Sequence, residues 1–194
     1  MRNPKLFAVL LALVLCSSWA LGQMHSFHEQ IPDAPNPARL VNDFAGMMNA
    51  SESDQLEAKL EDFEKKTSNE IVVVTIASLQ DLEVDEFALE LGRKWNIGKA
   101  SKKNGVLILA AQAEHRINIS PAYGLQGALP DMLCARIIRE FMTPAFKKGQ
   151  FYSGFDQAAD AVIAATNGEF TNDTPEKGKE KKTPPIFIFI LFII

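Results

Sequence analysis

Apolar positions along the chain switch between helical and strand spacing, and each switch marks an element. Leu56, Leu60 and Phe63 share one face of a helix that Ser51 is expected to cap, with Asp54 three residues on. Glu61 with Lys65 and Asp62 with Lys66 stand four apart on its solvated face, each pair worth roughly a few tenths of a kcal/mol. Residues 70–76 form a β-branched run, read as a strand open to burial on both faces. Val84, Phe87, Ala88, Leu91 and Trp95 return to helical spacing and predict a helix over about residues 85–95. Residues 106–111 and 116–120 are two further strands. The link 112–115 is too short for a crossover, so these two run antiparallel. The strands at 70–76 and 106–111 flank a helix and are expected to be parallel, with a right-handed crossover. Pro130 opens a third helix through about Met142, where Pro144 is expected to stop it. A fourth helix covers 152–167, with Gly168 as its C-terminal cap. The pattern is α/β: a mixed sheet, one parallel crossover plus one antiparallel hairpin, layered with helices.

The two ends carry addresses. Arg2 and Lys5, the apolar run 6–15 and the small-residue exit Ala20-Leu21-Gly22 have the layout of a secretory signal. Residues 1–22 are therefore read as a cleaved signal peptide and the mature chain as exported. A spanning helix needs about 20 apolar residues, which 6–22 only just approaches. A lipoprotein reading through Cys16 is weaker, because bulky Leu15 precedes it. Residues 23–39, with Pro32, Pro35 and Pro37, form an extended lead-in, and 40–168 are one domain. A charged linker, 169–185, carries Lys177, Lys179, Lys181 and Lys182 and ends at Pro184-Pro185. Residues 186–194 are apolar throughout; as helix they span roughly 13 Å, against a hydrocarbon core of about 30 Å. They read as the start of a truncated transmembrane helix, with an interfacial apolar tail as the alternative. The lysines then lie on the exported side, against the usual charge bias. The expected location is the periplasmic or extracytoplasmic face, anchored to the membrane by the C-terminal segment.

Composition narrows the partners. Without Arg2 and Lys5 the chain has 18 basic against 24 acidic residues. No basic groove with interleaved aromatics is present, so nucleic acid is not an expected partner. Only Cys134 survives signal cleavage, which rules out a disulfide within the chain, and its neighbours Leu133, Ile137 and Ile138 suit a buried thiol. His25, His28 and His115 lack metal-ligand spacing. Cleavage after Gly22 would expose Gln23-Met24-His25, an arrangement able to chelate copper or nickel, although an N-terminal glutamine tends to cyclise.

Chain reversal at Ala113-Glu114 brings glycine-punctuated loops together. The loop at Tyr123 must return close to Asn104, so Asn104, Tyr123, Gln126 and Asp131 are expected on one rim and Asp43 at the opposite edge. Asp131 offers a carboxylate, Asn104 and Gln126 carbonyl oxygens, Tyr123 a wall, and Gly124 and Gly127 backbone. This is a candidate site for a weakly held divalent cation such as calcium. Each residue also has a structural reading. Asp131 stabilises a helix dipole, Asn104-Gly105 makes a tight turn, Tyr123 covers the sheet edge, and Gly124 and Gly127 allow unusual backbone angles.

Val41-Asn42-Asp43-Phe44-Ala45-Gly46, Trp95-Asn96-Ile97-Gly98, Asn104-Gly105-Val106-Leu107 and Tyr123-Gly124-Leu125-Gln126-Gly127 occur in this order. As an ordered set they resemble the TPM domain family, over residues 40–167. That family includes thylakoid-lumen proteins of photosystem II repair, an animal modulator of acetylcholine receptors, and bacterial exported proteins with a C-terminal anchor. The resemblance implies a three-layer α/β/α sandwich of TPM type, with divalent cation binding in plant and bacterial members and acid phosphatase activity in a plant member. This chain has Gly124-Leu125-Gln126-Gly127 where the family often has Gly-Leu-Glu-Gly, so a carboxylate becomes an amide and the case for a hard cation weakens. Ser120-Pro121-Ala122 likewise replaces a more glycine-rich approach.

Phosphoryl transfer needs a nucleophile or activated water, plus positive charge or metal. The chain has no Cys-x5-Arg loop, phosphate-cradling lysine loop or histidine nucleophile motif, and Lys102 and Lys103 read as a solvated loop. Ser120 precedes a proline and lies outside any Gly-x-Ser-x-Gly elbow. The expectation is an exported, membrane-tethered accessory domain that binds another envelope or membrane protein. An acid phosphatase-like hydrolase of phosphate monoesters is the alternative.

Overall fold

The structure, a computed structural model, describes residues 31–98 and 104–168. The expected signal segment, the linker at 169–185, the apolar residues 186–194 and the Lys102-Lys103 loop lie outside the described residues. Along the chain run β1 (Val41–Asp43), α1 (Ala50–Thr67), β2 (Glu70–Ile76), α2 (Val84–Lys94), β3 (Gly105–Ala111) and β4 (Arg116–Pro121). A 3-10 turn at Tyr123–Leu125 follows, then α3 (Asp131–Ile137), a π-helical turn (Ile138–Met142), α4 (Thr143–Phe146) and α5 (Phe151–Thr166).

The four strands form one sheet in the order β1-β2-β3-β4. β1, β2 and β3 are parallel, and β4 returns antiparallel to β3. Every residue of β3 is buried, and so are residues 71–76 of β2. A strand buried on both sides requires cover on both faces of the sheet. Directly opposed residues of an antiparallel pair point to the same face, so Leu107 and Leu109 share a face with Ser120 and Asn118. Asn118 donates to Asp85 of α2 at 2.6 Å, which sets α2 on that face. α1 packs on β1 and β2 and meets α5, where Lys59 reaches Asp156 at 2.5 Å and Asp160 at 2.7 Å. The fold is α/β with a mixed sheet, as the apolar pattern predicts.

β1 is a strand that the pattern does not reveal, because three residues are too few to show alternation. Asp43 explains its end. Its carboxylate accepts from the N–H groups of Met47 (2.9 Å) and Met48 (2.8 Å) and from the Thr75 hydroxyl, which fastens the loop leaving β1 to the tip of β2. This is the end of the sheet away from Gly105. The outer edge of β1 is plugged: Glu57 of α1 accepts from the N–H groups of Leu40 (2.9 Å) and Val41 (2.6 Å).

Two helix boundaries differ from expectation. α1 is capped by Asn49, not Ser51. The Asn49 side chain accepts from Glu52 N–H at 2.9 Å, and the Glu52 carboxylate accepts from Asn49 N–H at 2.8 Å, a reciprocal box that satisfies two otherwise orphan donors. Ser51 lies inside the helix, its hydroxyl accepting from Gln55. Pro144 does not end the third helix either. The chain widens into a π turn in which Thr143 N–H bonds Ile138 O, five residues back, so Pro144 falls at the start of a new helical segment that asks for no N–H from it. The widening has a second effect. Ile137 and Met142 are both fully buried, although five regular α-helical steps would set them about 140° apart. The extra residue in the turn brings both onto the core side.

Replacing Asn49 with Ala removes the cap while leaving Ser51 in place. Stability measured by urea denaturation is expected to fall by about 1 kcal/mol, against a change near zero for Ser51→Ala.

Candidate functional site

The edge strand β4 forms the floor of an open groove of about 1160 Å³. α2 supplies one wall through Asp85 and Leu89, α3 supplies the other through Asp131 and Ala135, and Tyr123 stands at the end. Polar side chains run along the α2 side: Ser120 donates to Asn118 at 2.6 Å, and Asn118 in turn donates to Asp85. Arg93 also lines the groove, but its guanidinium is paired with Glu90 at 2.7 Å. Tyr123 is 77% exposed, an unusual setting for a large ring.

Tyr123, Gln126 and Asp131 are thus brought to one groove, and Asn104 is not. Its side-chain amide donates to Ser68 O and to Asn69 Oδ1, its backbone carbonyl accepts from Glu70 N–H, and its own N–H bonds Gly98 O. Asn104 ties the start of β2 to the start of β3, and its buried Oδ1 has no partner among the described residues. Gly124 lies in the right-handed 3-10 turn, and Gly127 has open space where a Cβ would be, so neither glycine meets a backbone requirement there.

The glycines under real constraint are Gly98 and Gly105. A Cβ on Gly105 would lie 2.6 Å from the Cα and the N of Gly98, and one on Gly98 would lie 2.5 Å from Gly105 N. Gly98 also has φ +97° and donates its N–H to Glu70 Oε2 at 2.7 Å. The Asn104-Gly105 pair therefore allows two backbones to touch, which is a different role from the expected tight turn.

A hard cation such as calcium takes six to eight oxygen ligands. With Asn104 turned toward β2, Asp131 and Gln126 are what remain of the expected oxygen set. Among the described residues no three His, Cys, Asp or Glu side chains gather in metal-binding geometry. The groove as built does not fit such an ion.

Cys134 borders the groove with its thiol turned inward, only 4% exposed and 3.6 Å from Leu129 O. Burial, followed by the nearby Asp131 carboxylate, pushes the thiol pKa up to about 11.

A family model for the TPM domain matches residues 41–165. The chain belongs to the TPM domain family. Among solved structures, the N-terminal domain of a protein from P. gingivalis is similar at 31% identity, covering 73% of this chain and 91% of that one, with a TM-score of 0.65. BA42 from the psychrophilic bacterium Bizionia argentinensis shares 23% identity over 65% of this chain and 86% of its own, with a TM-score of 0.56. The N-terminal domain of the cg2496 protein from Corynebacterium glutamicum shares 13% over 70% and 84%, with a TM-score of 0.53. The last two are similar in fold alone. No curated protein matches the chain.

Asp85 and Asn118 are groove residues that sequence reasoning missed. The available signal was Asn118 itself, a polar residue between Ile117 and Ile119 that demands a partner on its own face.

Two measurements test these assignments. Gly105→Ala must drive two backbones apart and is expected to lower stability by more than about 2 kcal/mol, whereas Gly127→Ala should stay within about 0.5 kcal/mol. Thiol labelling of Cys134 at pH 8 is expected to be at least about a hundredfold slower in the native chain than in urea, since the thiolate fraction is small and access is closed.

Proposed function

We propose that this TPM domain is a docking module of an exported, membrane-tethered protein, and that it binds another envelope protein through the groove between α2 and α3. The observation that carries this reading is the groove itself. It is broad and open, its floor is a sheet edge, and a largely exposed Tyr123 stands at its end beside Gln126 and Asp131. Aromatic residues placed this way commonly anchor protein interfaces. The signal-like N-terminus and the apolar C-terminal residues 186–194 support an exported domain held at a membrane. The tether in this reading is residues 186–194, as the start of a truncated transmembrane helix or an interfacial apolar tail. A divalent cation has no part in this reading, because Asn104 lies away from Gln126 and Asp131 and leaves those two alone of the expected oxygen set.

A photo-crosslinking residue at Gln126, in the full chain within its own membrane, tests this reading. A discrete partner band is expected from that position and not from exposed Asp62 on α1. Tyr123→Ala and Asp131→Lys should each reduce its yield by at least about fivefold. Equal bands from both positions would remove the groove from the reading. Turnover of p-nitrophenyl phosphate that disappears in Asp131→Ala would replace docking with hydrolysis.

A further inference from the structure

The groove floor is a strand with one unpaired side, and hydrogen-bond parity shows which groups are open. Asn104 O accepts from Glu70 of β2, Gly105 O accepts from Ala122 beyond β4, and Gln112 N–H again turns to β2. Odd-numbered residues of β3 therefore address β4, and with the register Leu107↔Ser120 and Leu109↔Asn118 their partners are Ser120 and Asn118. The alternate residues Ile117 and Ile119 point their N–H and C=O groups away from the sheet, and no described residue bonds them. Ile119 is nevertheless only 5% exposed. The residue as a whole is largely covered, while its outward N–H and C=O have no hydrogen-bond partner among the described residues and remain available to one.

The two sheet edges are treated differently. At β1 a carboxylate from Glu57 takes the outward N–H of Val41. At β4 Arg116 and Pro121 mark the two ends of the strand, a common way to blunt an edge, but the span between them stays open. Helices rise on both sides of that span, so the gap suits a single extended chain better than another folded domain.

Charge narrows the occupant. Among the described residues, those of the groove that carry charge are Asp85, Arg93 and Asp131. Arg93 is neutralised by Glu90, whereas Asp85 and Asp131 have no cationic partner among the described residues. We infer that β4 accepts an extended segment of the partner protein as a fifth strand, hydrogen-bonded to the outward backbone of Ile117 and Ile119 and carrying basic side chains toward Asp85 and Asp131. This rests on the docking reading and specifies its mode, β-strand addition.

The probe is the acetylated, amidated peptide Lys-Val-Thr-Val-Thr-Val-Lys, titrated into ¹⁵N-labelled full chain. Saturation is expected to slow amide exchange at Ile117 and Ile119 by at least about tenfold, with exchange in β2 unchanged. The same peptide N-methylated at every internal amide should bind at least about tenfold more weakly, as should the version with Glu at both ends. Ile117→Pro removes an N–H that β3 does not use and should weaken binding similarly; should that variant fail to fold, the N-methylated peptide decides alone. Equal binding of the N-methylated peptide, or no protection at Ile117 and Ile119, overturns strand addition. Equal binding of the Glu-ended peptide overturns the basic occupant. A dimer of the chain with both amides already protected would assign the edge to a second copy and overturn the peptide. Crosslinking from Gln126 that persists while the partner leaves both amides unprotected would sink strand addition alone and leave groove docking standing.

Discussion

The backbone contact between Gly98 and Gly105 is the constraint on which the rest of the sheet depends. At that point the chain leaving α2 lies directly against the chain starting β3, with no room for a single Cβ on either side. Glu70 and Asn104 fasten the same junction by hydrogen bonds, so the beginnings of β2 and β3 and the end of α2 are fixed by one small cluster. Once β3 starts there, its parity is set. That parity decides which groups of β4 are spent on the sheet and which look outward.

Around this junction the molecule divides its chemistry between two ends. The tips of β1 and β2 are occupied by Asp43 and Thr75, whose oxygens are used to shape the loop toward α1. Toward the other end, Asp131 lines the groove between α2 and α3 and has no ion-pair or hydrogen-bond partner among the described residues. A residue held by several partners is poorly placed to engage a ligand, and a loosely held one is well placed. This contrast sets Asp43 apart from Asp131, although both are carboxylates at strand or helix ends.

Much of this was readable in the sequence, for physical reasons specific to each element. β2 and β3 are continuous apolar runs and α2 has one unbroken stripe, so burial itself wrote the pattern. The antiparallel turn back into β4 followed from a link too short for any alternative. β1 was hidden because three residues carry no period. The α1 cap was misplaced by two positions because Asn49 and Ser51 are both good caps, and only the reach of Glu52 distinguishes them. Pro144 misled because a proline forbids an α-helical bond but not a wider turn. For the groove, Tyr123, Gln126 and Asp131 were found through topology, since loop ends at one sheet edge must be neighbours. Asn104 was lost because topology locates a backbone and does not say which way a side chain turns.

The unequal treatment of the two sheet edges has a consequence for assembly. A protein with an open strand on each side can stack head to tail without limit, each copy offering a donor to the next, and grow into a filament. Here the Glu57 carboxylate occupies the outward N–H donor of Val41, which makes β1 a poorer landing site for such growth. The two flanks of the sheet are therefore unequal, and β4 offers more unpaired backbone among the described residues than β1 does.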